Sequence, residues 1–279
     1  MIPAPFDYEV AESVDQAVEL LGSRDDAKLL AGGHSLIPLL RLRFARPALL
    51  VDIGRMDDLR YVRDAGEQLA IGAMTRHNDL QHNPLVQEHT PILSHTAGLI
   101  GDPQVRHRGT IGGSVAHGDP ASDLPTVLTA LDADLVVRGP GGERTVPAEE
   151  FFRGVFETAL GPQDVLTEIR VPKLGPAGWS YVKFTRRAQD WATVGVAAVV
   201  RRTNGTIDAA AIALTNMGPT PVRARAAEGA LKTPDDAAGA SNVVAQESDP
   251  PTDTSGSADY RRHLATVLAR RALEEAISR

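Results

Sequence analysis

Two pairs of adjacent glycines, each flanked by hydroxyl residues, carry the clearest chemical potential in this sequence: Ala31-Gly32-Gly33-His34-Ser35 and Thr110-Ile111-Gly112-Gly113-Ser114. Glycine lets the backbone turn sharply and lets an anion approach the amides without meeting a Cβ. A nest of N–H groups beside a helix N-terminus suits a pyrophosphate, and Ser35 adds a hydroxyl donor. Two such turns can grip the two phosphates of one dinucleotide from opposite sides, with Asp123 accepting from a ribose or adenine group. Two unrelated tight turns remain the plainer reading of each motif taken alone. Neither site contains Gly-x-Gly-x-x-Gly or Gly-x-x-x-x-Gly-Lys-Ser/Thr, so any dinucleotide here is held by something other than a Rossmann unit or a P-loop.

No other constellation competes. His77, His82, His89 and His95 lack zinc-type spacing and read as surface or packing residues. His107 and His117 flank the second glycine pair; a hydrogen bond to a cofactor and no such bond are equally open. Ser35 and Ser114 do not lie in a Gly-x-Ser-x-Gly elbow. Trp179 and Trp191 read as packing residues rather than an electron relay. The sequence therefore nominates no catalytic residue and no metal ligand. It contains no cysteine, which removes disulfides, thiolate zinc sites and cysteine-ligated iron–sulfur clusters from this chain. Any iron–sulfur chemistry belongs to another chain.

The elements that must position the glycines follow from periodicity. Ser13 caps a helix over 13–22, in which Val14, Ala17, Val18 and Leu21 recur at helical spacing. A strand at 28–31 runs into the first glycine pair, and a helix carrying Leu36, Leu39, Leu40 and Leu42 follows, with Pro38 tolerated in its first turn. Leu49 to Ile53 is a further strand, completing a small α/β unit. The pattern restarts with a strand at 68–73, a helix opening at Arg76 to Leu80 and a helix at Ile92 to Ile100. Residues 109–125 are the densest run of turn and polar residues, and 127–131 is helical. Strands at 134–138 and 143–146 flank Gly139-Pro140-Gly141-Gly142, a hairpin signal. Val165 to Val171 alternates like a strand. Gly175-Pro176-Ala177-Gly178 marks a boundary. Beyond it, 180–185, 193–201 and 207–215 read as an antiparallel sheet, 233–258 as an exposed loop and 258–277 as a closing helix.

The 279 residues suggest about two domains. A net charge of -7 makes general nucleic-acid binding unfavourable, because phosphate contacts need surplus Lys and Arg. The run Arg41, Arg43, Arg46 reads as a solvated face. No apolar stretch is long enough to span a membrane, and the N-terminus does not read as a signal peptide, so a cytoplasmic location is expected.

The glycine turns resemble the two FAD-pyrophosphate loops of the FAD-binding subunit of molybdenum hydroxylases. Further matching segments are Leu42-Arg43-Phe44-Ala45, Asp102-Pro103-Gln104-Val105-Arg106, Ala116-His117-Gly118-Asp119-Pro120, Asp190-Trp191-Ala192-Thr193 and Ala213-Leu214-Thr215-Asn216. The resemblance runs over nearly the whole chain, and the segments around Asp102 and Trp191 point to the carbon-monoxide branch. It implies an α+β protein: a two-subdomain FAD-binding fold of the type shared with p-cresol methylhydroxylase and vanillyl-alcohol oxidase over 1–175 (subdomains about 1–56 and 57–175), then a smaller C-terminal domain over 176–279 with an antiparallel sheet and helices. It also implies non-covalent FAD. Ala31, Gly32, Gly33, His34, Ser35 and Leu36 with Thr110, Ile111, Gly112, Gly113 and Ser114 would wrap the diphosphate. Asp123 would meet the ribose or adenosine end, and Val105 would lie along the cofactor. His117 would be a cofactor contact, Leu166 would reach the flavin ring, Lys183 would sit near it and Trp191 would border it. Relatives often carry Asn or Asp where this chain has Ser114. The implied partners are a large molybdenum-cofactor subunit and a small subunit with [2Fe–2S] clusters, in a dimer of heterotrimers. The chain would pass electrons from the clusters to an external acceptor such as a quinone, with membrane association only through that acceptor. Substrates other than carbon monoxide (N-heterocycles or aldehydes) are the alternative, and a self-contained flavin oxidase is a more distant one.

Overall fold

The first glycine pair follows a strand of a small parallel sheet. In the computed structural model, which describes residues 2–279, strands Asp7–Val10, Leu49–Asp52 and Ala27–Leu30 lie side by side with Leu49–Asp52 in the centre. Parallel neighbours need crossovers, and helices Val14–Gly22 and Leu36–Leu42 supply them. The Ser13 hydroxyl accepts from the Gln16 N–H at 3.2 Å, capping the first helix. Ala17, Leu21, Val51, Ile53 and Met56 form the core beneath. Strand Asp7–Val10 escapes the sequence reading because it is an edge strand with three exposed residues and so shows no alternation.

A five-stranded antiparallel sheet follows, in the order Val62–Ala65, Gln68–Gly72, Val165–Pro172, Asp134–Gly139, Gly142–Pro147. Helices Pro91–Gly98, Ile111–His117 and Asp123–Ala130 pack with it around one core, where Leu69, Ile71, Ile92, Leu93, Ile111, Leu124, Leu128, Leu135 and Ile169 have no exposure. Each such side chain contributes about 1.5–3 kcal/mol of burial. The polar run 109–125, expected as turn, folds in large part into two helices. Thr110 caps the first of them, Ile111 and Val115 supply its buried face, and Gly118 at φ 64° ends it. Helices Pro84–His89 and Pro103–Arg108 were also not anticipated. Each has proline in its first turn behind an Asn83 or Asp102 cap.

The third sheet is antiparallel, in the order Gly178–Phe184, Val194–Thr203, Thr206–Thr215, Val222–Arg223. Asn204 and Gly205, at φ 52° and 85°, make the tight hairpin between its two long strands. Helix Ala258–Ser278 lies across this sheet. The expected loop at 233–258 is corrected: helix Ala237–Val243 buries Ala237, Ala240 and Ser241 against the long helix. Small side chains permit that close approach, and the surrounding Pro, Asp and Ser mask the pattern. Buried Tyr181, Ala197 and Ala213 join the core of the preceding sheet. Arg223 donates to Thr129 O at 2.9 Å and Arg225 pairs with Glu149 at 2.6 Å, so polar links also cross residue 175.

Candidate functional site

The two glycine turns meet. A Cβ on Gly32 would collide with the Arg108 carbonyl oxygen and stand 2.9 Å from Gly109 Cα, and one on Gly113 would lie 3.8 Å from the Ala31 Cβ. The backbones thus approach as closely as glycine allows. Gly33 adopts φ 78°, the left-handed region, which turns the chain out of strand Ala27–Leu30 into helix Leu36–Leu42.

The turns differ in what their amides do. Among the described residues, no acceptor engages the backbone N–H of Gly32, Gly33, His34 or Ser35, and the Ser35 hydroxyl caps nothing. Four adjacent donors without partners suit a ligand with several anionic oxygens. In the second turn the donors are consumed. Ile111 N–H donates to Thr75 O at 2.9 Å, Gly112 N–H to Ala73 O at 2.8 Å, Gly113 N–H to Thr110 Oγ1 at 3.1 Å and Ser114 N–H to Thr110 O at 3.1 Å. Gly112 is a packing glycine, since its Cβ would stand 2.5 Å from that of Ala73. The second turn is a rigid floor, and the half-buried Gly113 and Ser114 are the parts of it that remain open.

Behind the second turn lies His77, expected as a surface or packing residue and found buried. Its N–H donates to Gly109 O at 3.0 Å, and its Nδ1 is buried without a partner. Burial first, then the charges of His34 and Arg106, lower its pKa to about 4, so it is neutral at pH 7. His34 is exposed, and Leu36 is the half-buried first residue of its helix. Val105 is half-buried on helix Pro103–Arg108, pressed against Gly101.

Asp123 and Lys183, 60 residues apart, form an ion pair at 2.8 Å with side-chain exposures of 6% and 8%. The other Asp123 oxygen accepts from the Tyr181 hydroxyl at 2.7 Å, and Lys183 Nζ also reaches Leu99 O at 3.3 Å. Burial pushes the Asp123 carboxyl up, while the Lys183 ammonium and the Tyr181 phenol hold it down; burial pushes the Tyr181 phenol well up. Asp123 therefore meets Lys183 and Tyr181 before any sugar. One ammonium proton of Lys183 has no partner among the described residues.

His117 ends helix Ile111–His117, its ring 5.0 Å from that of Phe156; burial lowers its pKa against the opposing charge of Asp119. Phe156 and Trp191, both large and exposed, line one cleft of about 730 Å³ together with Asp119, Pro120, Ala121 and Asn216. Asn216 N–H donates to Pro120 O at 2.9 Å and its Nδ2 to Ala192 O at 2.8 Å, fixing the cleft wall beside Trp191. Leu166 lies apart from these groups in the main core, 5% exposed. Tyr181, His77, Phe156 and Asn216 were not singled out as site residues. Only Asn216, inside a matching segment, carried a signal.

Among the described residues no group of three or more His, Asp or Glu is arranged to hold a metal ion, and no helix is long and apolar enough to cross a membrane. Residues 4–174 match the sequence family described as the FAD-binding domain in molybdopterin dehydrogenase, and residues 179–276 match the carbon monoxide dehydrogenase flavoprotein C-terminal domain. The carbon monoxide dehydrogenase medium chain of Hydrogenophaga pseudoflava is 45% identical over 285 residues, covering 100% of this chain and 99% of the relative. A subunit of the 6-hydroxypseudooxynicotine dehydrogenase complex of Paenarthrobacter nicotinovorans is 40% identical, covering 100% and 97%. A solved carbon monoxide dehydrogenase from Hydrogenophaga pseudoflava superposes with a TM-score of 0.97 at 48% identity, covering 100% of this chain and 99% of that one. The free amides of the first turn and the glycines that let the second meet it fit the diphosphate of the cofactor this family is described as binding, and the chain belongs to the FAD-binding subunits of molybdopterin dehydrogenases, as an oxidoreductase component.

Proposed function

We propose that this chain is the FAD-carrying electron-transfer subunit of a carbon-monoxide-dehydrogenase-like complex, with a cofactor unit over 1–175 and a closing unit over 176–279. The row of four unpartnered amides at Gly32 to Ser35, with Gly32 pressed against Arg108 and Gly109, carries the reading. Bound FAD would supply an electron store between [2Fe–2S] clusters on a small partner subunit, behind a large molybdenum-cofactor subunit, and an external acceptor such as a quinone. The chain's own residues bind and orient. The first-turn amides and the hydroxyls of Ser35 and Ser114 donate to the diphosphate, while Thr110, Ile111 and Gly112 keep the floor rigid. Asp123 neutralises Lys183, so a charged ammonium persists in a buried place and offers its remaining proton to the cofactor. Val105 supplies apolar surface, while Leu166 packs in the core apart from it. His117, Phe156 and Trp191 shield the cleft from water, and His34 stays unlinked to the flavin. The chain works in a dimer of heterotrimers in the cytoplasm, touching a membrane only through its acceptor.

The likeness to a 6-hydroxypseudooxynicotine dehydrogenase subunit favours a second reading, a related hydroxylase acting on N-heterocycles or aldehydes. Purification with the natural partner chains separates these. The first reading expects a brown complex containing molybdenum, iron and FAD whose flavin absorbance falls under carbon monoxide. Bleaching by an N-heterocycle or aldehyde instead selects the second reading. A yellow chain that turns over a substrate alone contradicts both.

A further inference from the structure

Gly195 stands within strand Val194–Thr203, opposite both Lys183 and Thr215. Glycine inside a strand weakens it and commonly marks a close approach. Here a Cβ would stand 2.6 Å from the Tyr181 hydroxyl and 2.8 Å from Thr215 Oγ1. The glycine leaves room for a buried chain of hydroxyls. Thr126 Oγ1 is 2.8 Å from Thr215 Oγ1, which is 3.0 Å from the Tyr181 oxygen, which donates to Asp123 at 2.7 Å. Thr126, Thr215 and Tyr181 come from three different elements, and all three are buried. The chain ends on the carboxylate whose other oxygen holds Lys183.

We infer that Tyr181 is a positioning residue, seated over Gly195 and braced by Thr215 and Thr126, which turns Asp123 so that its second oxygen fixes the Lys183 ammonium toward the flavin. This rests on the proposed placement of Lys183 beside the cofactor and deepens it. The groups facing Asp123 are Lys183 and Tyr181 from strand Gly178–Phe184 and Asp119 from the loop before its own helix. A buried carboxylate that loses a donor takes up a proton more readily. In Tyr181→Phe, protonation of Asp123 would leave the Lys183 charge unneutralised beside the flavin, which favours the reduced, more negative form.

The test uses the full chain loaded with FAD and measures the flavin midpoint potential and visible spectrum against pH. Tyr181→Phe is expected to retain FAD at wild-type stoichiometry and to show a potential that climbs above wild type as pH falls. Gly195→Ala, which pushes on the same hydroxyl, should show the same trend. Val200→Ala, in the core of the same sheet and away from the chain, should lower the melting temperature without moving the profile. The inference is overturned if Tyr181→Phe follows the wild-type profile while Lys183→Met shifts it; the placement of Lys183 would then survive. If Lys183→Met also leaves potential and spectrum unchanged, that placement fails and the inference fails with it.

Discussion

The two glycine turns look alike in sequence and are built for different work. Both pair glycines with hydroxyls, yet one keeps its donors and the other spends them. In the first, the amides of Gly32 to Ser35 have no acceptor and Ser35 caps nothing. In the second, Thr110 caps its helix and Ala73 and Thr75 take the neighbouring N–H groups. A glycine pair is thus ambiguous between opening a backbone to a ligand and letting two backbones touch. Only the fate of the N–H groups decides which.

That contrast can be broken most severely at Gly32. Gly32→Ala puts a Cβ against the backbone of Arg108 and Gly109, so the turns must separate; a cost of about 3 kcal/mol and loss of bound FAD on gel filtration are expected. Next in size is acid sensitivity of the second turn. The folded His77 pKa of about 4 lies below its ordinary 6.5, so the unfolded chain takes the proton first. Stability is full above about pH 6.5 and falls as pH drops toward 4, by up to about 3 kcal/mol; urea melts across that window should show the slope, and His77→Leu should flatten it. Thr110→Val removes a cap and should cost about 1 kcal/mol in the same melts. The smallest effect sharpens the comparison: Ser35→Ala should leave stability within about 0.5 kcal/mol of wild type while weakening FAD binding in a titration, because its hydroxyl has no structural partner.

Much of the frame was legible. The helix behind Ser13, the strand entering the first turn, the Asn204-Gly205 hairpin and the closing helix each announce themselves through local periodicity or turn chemistry. Long-range effects were not. Helix Ile111–His117 hides in glycine and polar residues because its stability comes from a cap and two buried side chains. The closing helix carries Arg261, which is fully buried and paired with Asp253, where its charge alone would argue for solvent. At the site, Asp123 and Lys183 were nominated separately for the cofactor, and nothing local reveals that they hold each other or that Tyr181 completes the pair. Buried polar networks join residues by tertiary contact, which a single sequence does not display.

Amide hydrogen exchange with and without FAD tests the central claim most directly. The N–H groups of Gly32 to Ser35 should exchange fast in the free chain and slow at least tenfold on adding FAD, while those of Ile111 to Ser114 should be protected already and change little. New protection arising at the second turn, or at neither, would contradict it.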